Sequence, residues 1–127
     1  MKKVLVVDDM SGWRDYNTNA VYEILGDSVT IDDTSSAQEG YSKVIQNTSK
    51  PYDIIITDLQ MEEDYAPKYA GEWLIEQIKT LPQYYRVKII IISATYNIRK
   101  IAEILGVDCI PKSTAMKFLS AYEELLK

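Results

Sequence analysis

The chain has 127 residues, with 14 Lys+Arg against 19 Asp+Glu and no His. That length is one ordinary domain, and 46% apolar with 26% charged residues is the balance of a folded globular protein rather than a disordered one. A net charge of −5 argues against generic nucleic-acid binding, because phosphate backbones attract basic faces, and the missing His excludes a Ser-His-Asp triad, a His metal site or a phosphohistidine within this chain.

The start, Met1-Lys2-Lys3, is followed by an apolar run that stops at Asp8-Asp9, too soon for a signal peptide. No stretch approaches the length of a membrane span. The single cysteine, Cys109, can form neither an internal disulfide nor a Cys-rich zinc site, which suits a reducing cytoplasm.

Residues 4–7, Val-Leu-Val-Val, are the first of five short apolar runs in which β-branched side chains favour strands. From about Trp13 to Leu25, helical spacing puts Tyr16, Ala20 and Ile24 on one stripe, with Gly26 as the stop. A weaker run at 29–31 is the second strand. Ser35 or Ser36 then caps a helix carrying Ala37, Tyr41, Val44 and Ile45. Residues 54–56 are the third strand. Trp73, Leu74, Ile75, Ile78 and Leu81 mark a third helix, ended by Pro82. Gln83-Tyr84-Tyr85-Arg86 reads as a turn into the fourth strand, 89–92. Ile98, Ile101, Ala102 and Leu105 mark a helix ended by Gly106, and 107–110 are the fifth strand. Ala115, Leu119, Tyr122, Leu125 and Leu126 mark one last helix.

The first, third and fourth runs are continuous rather than alternating, as in strands buried on both faces. Strand then helix, five times over, predicts an α/β fold: a doubly wound five-stranded parallel sheet with helices on both faces. Ligands of such sheets bind at the carboxyl ends of the strands. Those ends carry Asp8 and Asp9, then Thr57 and Asp58, then Ser93, then Pro111 and Lys112. Taken singly, each is a turn residue, a cap or a surface lysine. Together they gather three carboxylates, a hydroxyl and an ammonium at one edge. Clustered carboxylates repel unless a cation intervenes, and hard oxygen ligands suit Mg²⁺. The set fits a phosphoryl group, its charge offset by metal and ammonium and one oxygen oriented by the hydroxyl. The same repulsion predicts that Mg²⁺ stabilises the fold and that Asp58→Asn raises metal-free stability.

With these residues in place, the chain resembles a response-regulator receiver domain of two-component signalling over essentially its whole length. The matching pieces are Val4-Leu5-Val6-Val7-Asp8-Asp9, Ile54-Ile55-Ile56-Thr57-Asp58-Leu59-Gln60-Met61, Ile90-Ile91-Ile92-Ser93-Ala94, and Gly106-Val107-Asp108 leading to Pro111-Lys112. The resemblance implies a flavodoxin-like strand order of 2-1-3-4-5 and Asp58 as the phosphorylated nucleophile. It implies Mg²⁺ held by Asp9, by Asp8 directly or through water, by Asp58 and by the main-chain carbonyl of Gln60. Ser93 would bond a phosphoryl oxygen and Lys112 would pair with the phosphoaspartate. The donor would be a histidine kinase or histidine phosphotransfer protein. The phosphorylated state would change a face made by the fourth and fifth helices and the last strand.

On this reading residues 1–127 are a single cytoplasmic receiver domain with no output domain. It is not an enzyme beyond its own phosphorylation and dephosphorylation. Output would pass to an unidentified protein target, an oligomer such as a homodimer, or competition for phosphate, with no nucleic acid or membrane involved.

Departures from the family pattern carry information too. Ser113 follows Lys112 where receivers usually have Pro, and Cys109 stands where many carry a switching Tyr or Phe. The segment 106–112 looks one residue short. An insertion runs from Glu62 to Ala70 before Gly71, a plain surface loop or, with Tyr65, Pro67 and Tyr69, a partner-facing lid. Trp13 falls where the family often docks its kinase, or is an ordinary rim aromatic. The rival to a phosphoacceptor is a receiver-like scaffold that is not phosphorylated. An aspartyl phosphatase of the haloacid-dehalogenase type would need Asp-x-Asp rather than adjacent aspartates. A nucleotide site would need a glycine-rich loop that Asp8-Asp9-Met10-Ser11-Gly12 does not offer.

Overall fold

Each apolar run becomes a parallel strand, because its Val and Ile side chains find a helical layer on either side. A computed structural model describes residues 1–61 and 68–127. Its strands are β1 (Lys2–Val7), β2 (Val29–Thr34), β3 (Ile54–Thr57), β4 (Lys88–Ser93) and β5 (Asp108–Pro111). All pair in parallel, in the order β2-β1-β3-β4-β5. The chain switches direction between β1 and β3, and the ligand-binding crevice of such a sheet lies beside that switch.

The helices are α1 (Ser11–Leu25), α2 (Ala37–Gln46), α3 (Ala70–Lys79), α4 (Ile98–Leu105), α5 (Lys112–Lys117) and α6 (Leu119–Leu126). Alternation along each strand sorts the core into two halves. Leu5, Val7, Ile55, Ile89 and Ile91 pack with α2, α3 and α4. Val4, Val6, Ile54, Ile56, Ile90, Ile92 and Ile110 pack with α1 and the last two helices. Each such side chain, fully buried, is worth about 1.5–3 kcal/mol, which is what holds both layers on the sheet. Among the described residues no helix is long and apolar enough to cross a membrane.

Several expectations change in detail. Ser36, not Ser35, caps α2, accepting the Glu39 N–H at 3.1 Å. The buried stripe of α1 is Asn17, Ala20 and Val21. Tyr16 instead spends its hydroxyl on the Ala115 carbonyl at 2.8 Å, and Asn17 accepts the Tyr122 hydroxyl at 2.6 Å. Strand β5 begins at Asp108. Gly106 closes α4 at φ 70°, and the Val107 N–H turns back to Ala102, so Val107 belongs to the helix end. The last helix is two: Phe118, at φ −134° and ψ 103°, is extended between α5 and α6. No proline or glycine marks that break. Tyr84 is more than a turn residue, being buried with its hydroxyl donated to the Val44 carbonyl at 2.9 Å. Cys109 is half-buried against the core, and burial pushes its thiol pKa up, away from the reactive thiolate form.

Of the insertion, Tyr65 and Pro67 lie outside the described residues. Tyr69 packs against the core and its N–H meets Glu72 Oε1 at 3.2 Å, while Ala70 opens α3. Those two residues therefore belong to the start of a helix rather than to a lid.

Candidate functional site

The site is built where β1, β3, β4 and β5 run out. Strand β1 delivers Asp8 and Asp9, β3 delivers Asp58, β4 ends on Ser93, and Ser93 pairs in register with Pro111 just before Lys112. Backbone bonds fix the ends: Asp8 N–H reaches the Thr34 carbonyl at 3.1 Å and Asp58 N–H the Val7 carbonyl at 3.0 Å. Asp8, Asp58, Ser93 and Lys112 are buried, and Asp9 is half-buried. Neither Asp9 nor Ser11 caps α1. Met10 is the capping position, and its N–H is taken by Asp8 Oδ1 at 2.9 Å.

Three carboxylates, from Asp8, Asp9 and Asp58, each place an oxygen within 4.8 Å of the other two. One ammonium answers them. Lys112 Nζ donates to Asp58 Oδ2 at 2.8 Å and stands 3.2 Å from Asp8 Oδ2. The other Asp58 oxygen accepts the Leu59 N–H at 2.7 Å. Asp8 Oδ2, by contrast, is buried without a hydrogen-bond partner, the ammonium reaching it only as an ion pair. A shallow cavity of about 400 Å³ opens over the group, lined by Asp9, Asp58, Gln60, Met61, Ser93 and Lys112 among others. A larger cleft, about 590 Å³, lies at the amino ends of β4 and β5. Volume does not mark the chemistry here, because Asp9, Asp58 and Lys112 line the smaller cavity.

Burial raises the pKa of Asp8 above the ordinary carboxylate value of 3.8, with the Asp58 charge adding to it and the Met10 N–H and Lys112 opposing. An acid raised in the folded state binds its proton more tightly there than in the unfolded chain. Its favourable contribution is therefore complete below pH 3.8 and is lost as pH climbs through the folded value. Asp8→Asn should accordingly make the metal-free protein more stable than wild type at pH 7, with the gap closing as pH falls to 3.8. Paired thermal melts in chelator across that range check it; a gap of the opposite sign would mean Asp8 is held by a favourable partner. The geometry thus moves the expected gain from Asp58, whose oxygens are both bonded, to Asp8.

Three residues in this region were not named from sequence, or were named for another role. The Thr95 hydroxyl lies 2.9 Å from Ser93 Oγ, both buried, and the Thr95 N–H also points to that oxygen at 3.3 Å. Its signal was present: a second hydroxyl two positions after the strand end. Arg14 donates to the Asp8 carbonyl at 2.8 Å and pairs with Asp33 at 3.4 Å. Trp13 holds its ring centroid 4.8 Å from Lys112 Nζ. Neither contact could be read from spacing, because each spans separate elements.

Comparison with known proteins agrees with this layout. The family model described as the response regulator receiver domain matches residues 4–122. A gliding motility regulatory protein of Myxococcus xanthus is 37% identical over 92 residues, 72% of this chain. The chain spans only about a tenth of that relative's length, since the match covers 10% of it. Among solved structures, the signal receiver domain of a DNA-binding response regulator from Colwellia psychrerythraea 34H matches 98% of this chain and 94% of its own. It does so with TM-score 0.76 at 18% identity. The phosphorylated cyanobacterial phytochrome response regulator RcpA matches 99% of this chain and 89% of its own, with TM-score 0.69 at 22% identity. A sheet in the order 2-1-3-4-5, aspartates at the ends of its first and third strands and a family match across 4–122 converge on one conclusion: the chain belongs to the response regulator receiver domain family.

Proposed function

We propose that Asp58 accepts a phosphoryl group from the phosphohistidine of a partner histidine kinase or phosphotransfer protein. The observation that carries this is the pairing of Asp58 with a buried ammonium at 2.8 Å, under an open cavity and beside two further carboxylates. With no His among these 127 residues, the donor imidazole lies outside them. An Asp58 oxygen attacks phosphorus, the new O–P bond forms as the donor's P–N bond breaks, and the electron pair leaves on the imidazole nitrogen. Lys112 offsets the negative charge that builds as a carboxylate meets an anionic donor. We place this exchange in the cytoplasm, where a lone thiol such as Cys109 stays reduced.

The donor set also fits Mg²⁺. A buried, unbonded Asp8 oxygen beside Asp9 and Asp58 is what a hard cation would satisfy, with the main-chain carbonyl of Gln60 as a further oxygen. When bound, the ion would neutralise charge on the cluster and on the phosphoryl oxygens.

Ser93 supports the switching part of the reading. Its hydroxyl now bonds Thr95; turning to a phosphoryl oxygen would give up that bond and release the segment leading into α4. Tyr96 just before α4, Ile104 on α4, Met116 on α5 and Phe118 between α5 and α6 are exposed, at 95%, 74%, 65% and 57%. We assign these as the face whose affinity for a downstream protein changes.

Intact mass after incubation with a small phosphodonor tests the reading. The expected result is a single phosphoryl gain that needs Mg²⁺ and disappears in Asp58→Ala. Alongside it, Mg²⁺ at roughly a hundredfold excess over Kd should add about 2.7 kcal/mol of stability. A gain that survives Asp58→Ala would place the acceptor elsewhere. Identical melts in Mg²⁺ and in chelator at equal ionic strength would remove the metal.

A further inference from the structure

Lys112 has three neighbours in the site, and two of them are charged groups whose state changes in the cycle proposed above. Asp58 Oδ2 is at 2.8 Å and Asp8 Oδ2 at 3.2 Å. The third is the indole of Trp13, with its centroid 4.8 Å from Nζ. Once Asp58 carries a phosphoryl group and Asp8 turns to a metal, both ion pairs are rearranged. A lysine side chain is a flexible four-carbon stem that gains rotamer freedom whenever its partners let go. The aromatic face is neutral and attracts an ammonium through its quadrupole whatever the carboxylates do.

The ring is itself held. Tyr16, one turn further along α1, meets Trp13 edge-on at 5.2 Å and 62°. The Tyr16 hydroxyl donates to the Ala115 carbonyl at 2.8 Å, in the helix that begins with Lys112. Arg14, next to Trp13, donates to the Asp8 carbonyl at 2.8 Å. The first turns of α1 therefore reach the ammonium through Trp13, the backbone of the helix that carries it through Tyr16, and the backbone of one carboxylate through Arg14.

We propose that Trp13 is a positioning residue: its indole face keeps the Lys112 ammonium against Asp58 while the carboxylates around it change charge. The proposal rests on the phosphoacceptor reading for its consequence, but the contact can be tested without it. With only two tryptophans in the chain, Trp73→Phe leaves Trp13 as the sole indole. Trp73 sits against Tyr41 at 5.5 Å in the opposite core layer, away from the site.

In the Trp73→Phe background, Lys112→Met should change the emission of Trp13. In the reciprocal Trp13→Phe background the same Lys112→Met, measured like the first in Mg²⁺ and well below its melting temperature, should leave Trp73 emission unmoved, which separates a local effect from the destabilisation that losing this buried cation brings. Phosphorylation by a small phosphodonor in Mg²⁺ is then timed by intact mass for Trp13→Phe and Trp13→Leu. Trp13→Phe keeps an aromatic face and should stay within about twofold of wild type. Trp13→Leu should slow the reaction by roughly 2- to 30-fold, the range of a cation–π contact converted to rate, while still melting cooperatively. Unchanged Trp13 emission, or a Leu variant as fast as wild type, overturns the proposal; so does a Phe variant as slow as Leu, which would make the indole a packing group only. If wild type itself takes no phosphoryl group, the phosphoacceptor reading fails, and the emission result still decides whether the ring holds the ammonium.

Discussion

Replacing Lys112 by Met should cost the metal-free protein about 3–5 kcal/mol, the usual loss when one partner of a buried ion pair is removed. Lys112 is buried beside Asp8 and Asp58, and among the described residues it is the cation that meets both. Without it, two buried carboxylates face each other with only the Leu59 and Met10 N–H groups to answer them. A domain stable by roughly 5–15 kcal/mol would be brought close to its threshold. The loss should be largest at neutral pH and shrink as pH falls through the raised pKa of Asp8, whose protonated form no longer repels its neighbours. If the proposed metal site is real, Mg²⁺ should recover part of the loss, since a divalent ion neutralises the same oxygens. Denaturant unfolding in chelator and in Mg²⁺ measures both effects. A loss under about 1 kcal/mol in chelator, the range of an exposed ion pair, would mean that water already screens the carboxylates.

The fold was legible because its signals are local. Continuous Val/Ile runs such as 54–56 and 89–92 can only be strands covered on both faces, and a strand end is where the next polar residue falls. That same rule puts Asp8, Asp9, Asp58, Ser93 and Lys112 at one edge of the sheet. What stayed hidden depends on contacts between elements. Trp13 and Lys112 are far apart in the chain, and only the packing of α1 against α5 and α6 sets the ring over the ammonium. Asp8 and Asp58 look equivalent in sequence, yet the Leu59 N–H and the Lys112 ammonium hydrogen-bond both oxygens of Asp58, while Asp8 Oδ2 has an ion pair but no hydrogen bond. Phe118 breaks the last helix with no proline or glycine to announce it, and the apolar periodicity runs straight across the break.

Gly71→Ala should destabilise the protein by about 1–3 kcal/mol or more and disturb the candidate site with it. Gly71 lies in the first turn of α3, which rests directly on the chain just past β3. A Cβ added there would fall 2.0 Å from the Asp58 carbonyl oxygen and 2.8 Å from Leu59 Cα, while the Gly71 N–H donates to the Leu59 carbonyl at 3.0 Å. The obstacle is backbone on both sides, so no side chain can turn away to relieve it. The need here is for space, not for a left-handed conformation, since among the described residues only Gly26 and Gly106 have positive φ. Either α3 lifts or the segment Asp58–Gln60 shifts. The second outcome moves the Leu59 N–H that binds Asp58 Oδ1 and the Gln60 carbonyl proposed for the metal. Gly12→Ala is the control. It also lies in a helix, a Cβ there meets nothing within 4 Å, and the gain in helix propensity should leave stability unchanged or raised by up to about 1 kcal/mol. Thermal melts in chelator and Mg²⁺ titrations of both variants check the pair. Equal stability of the two would show that α3 yields freely, and that its first turn does not brace the end of β3.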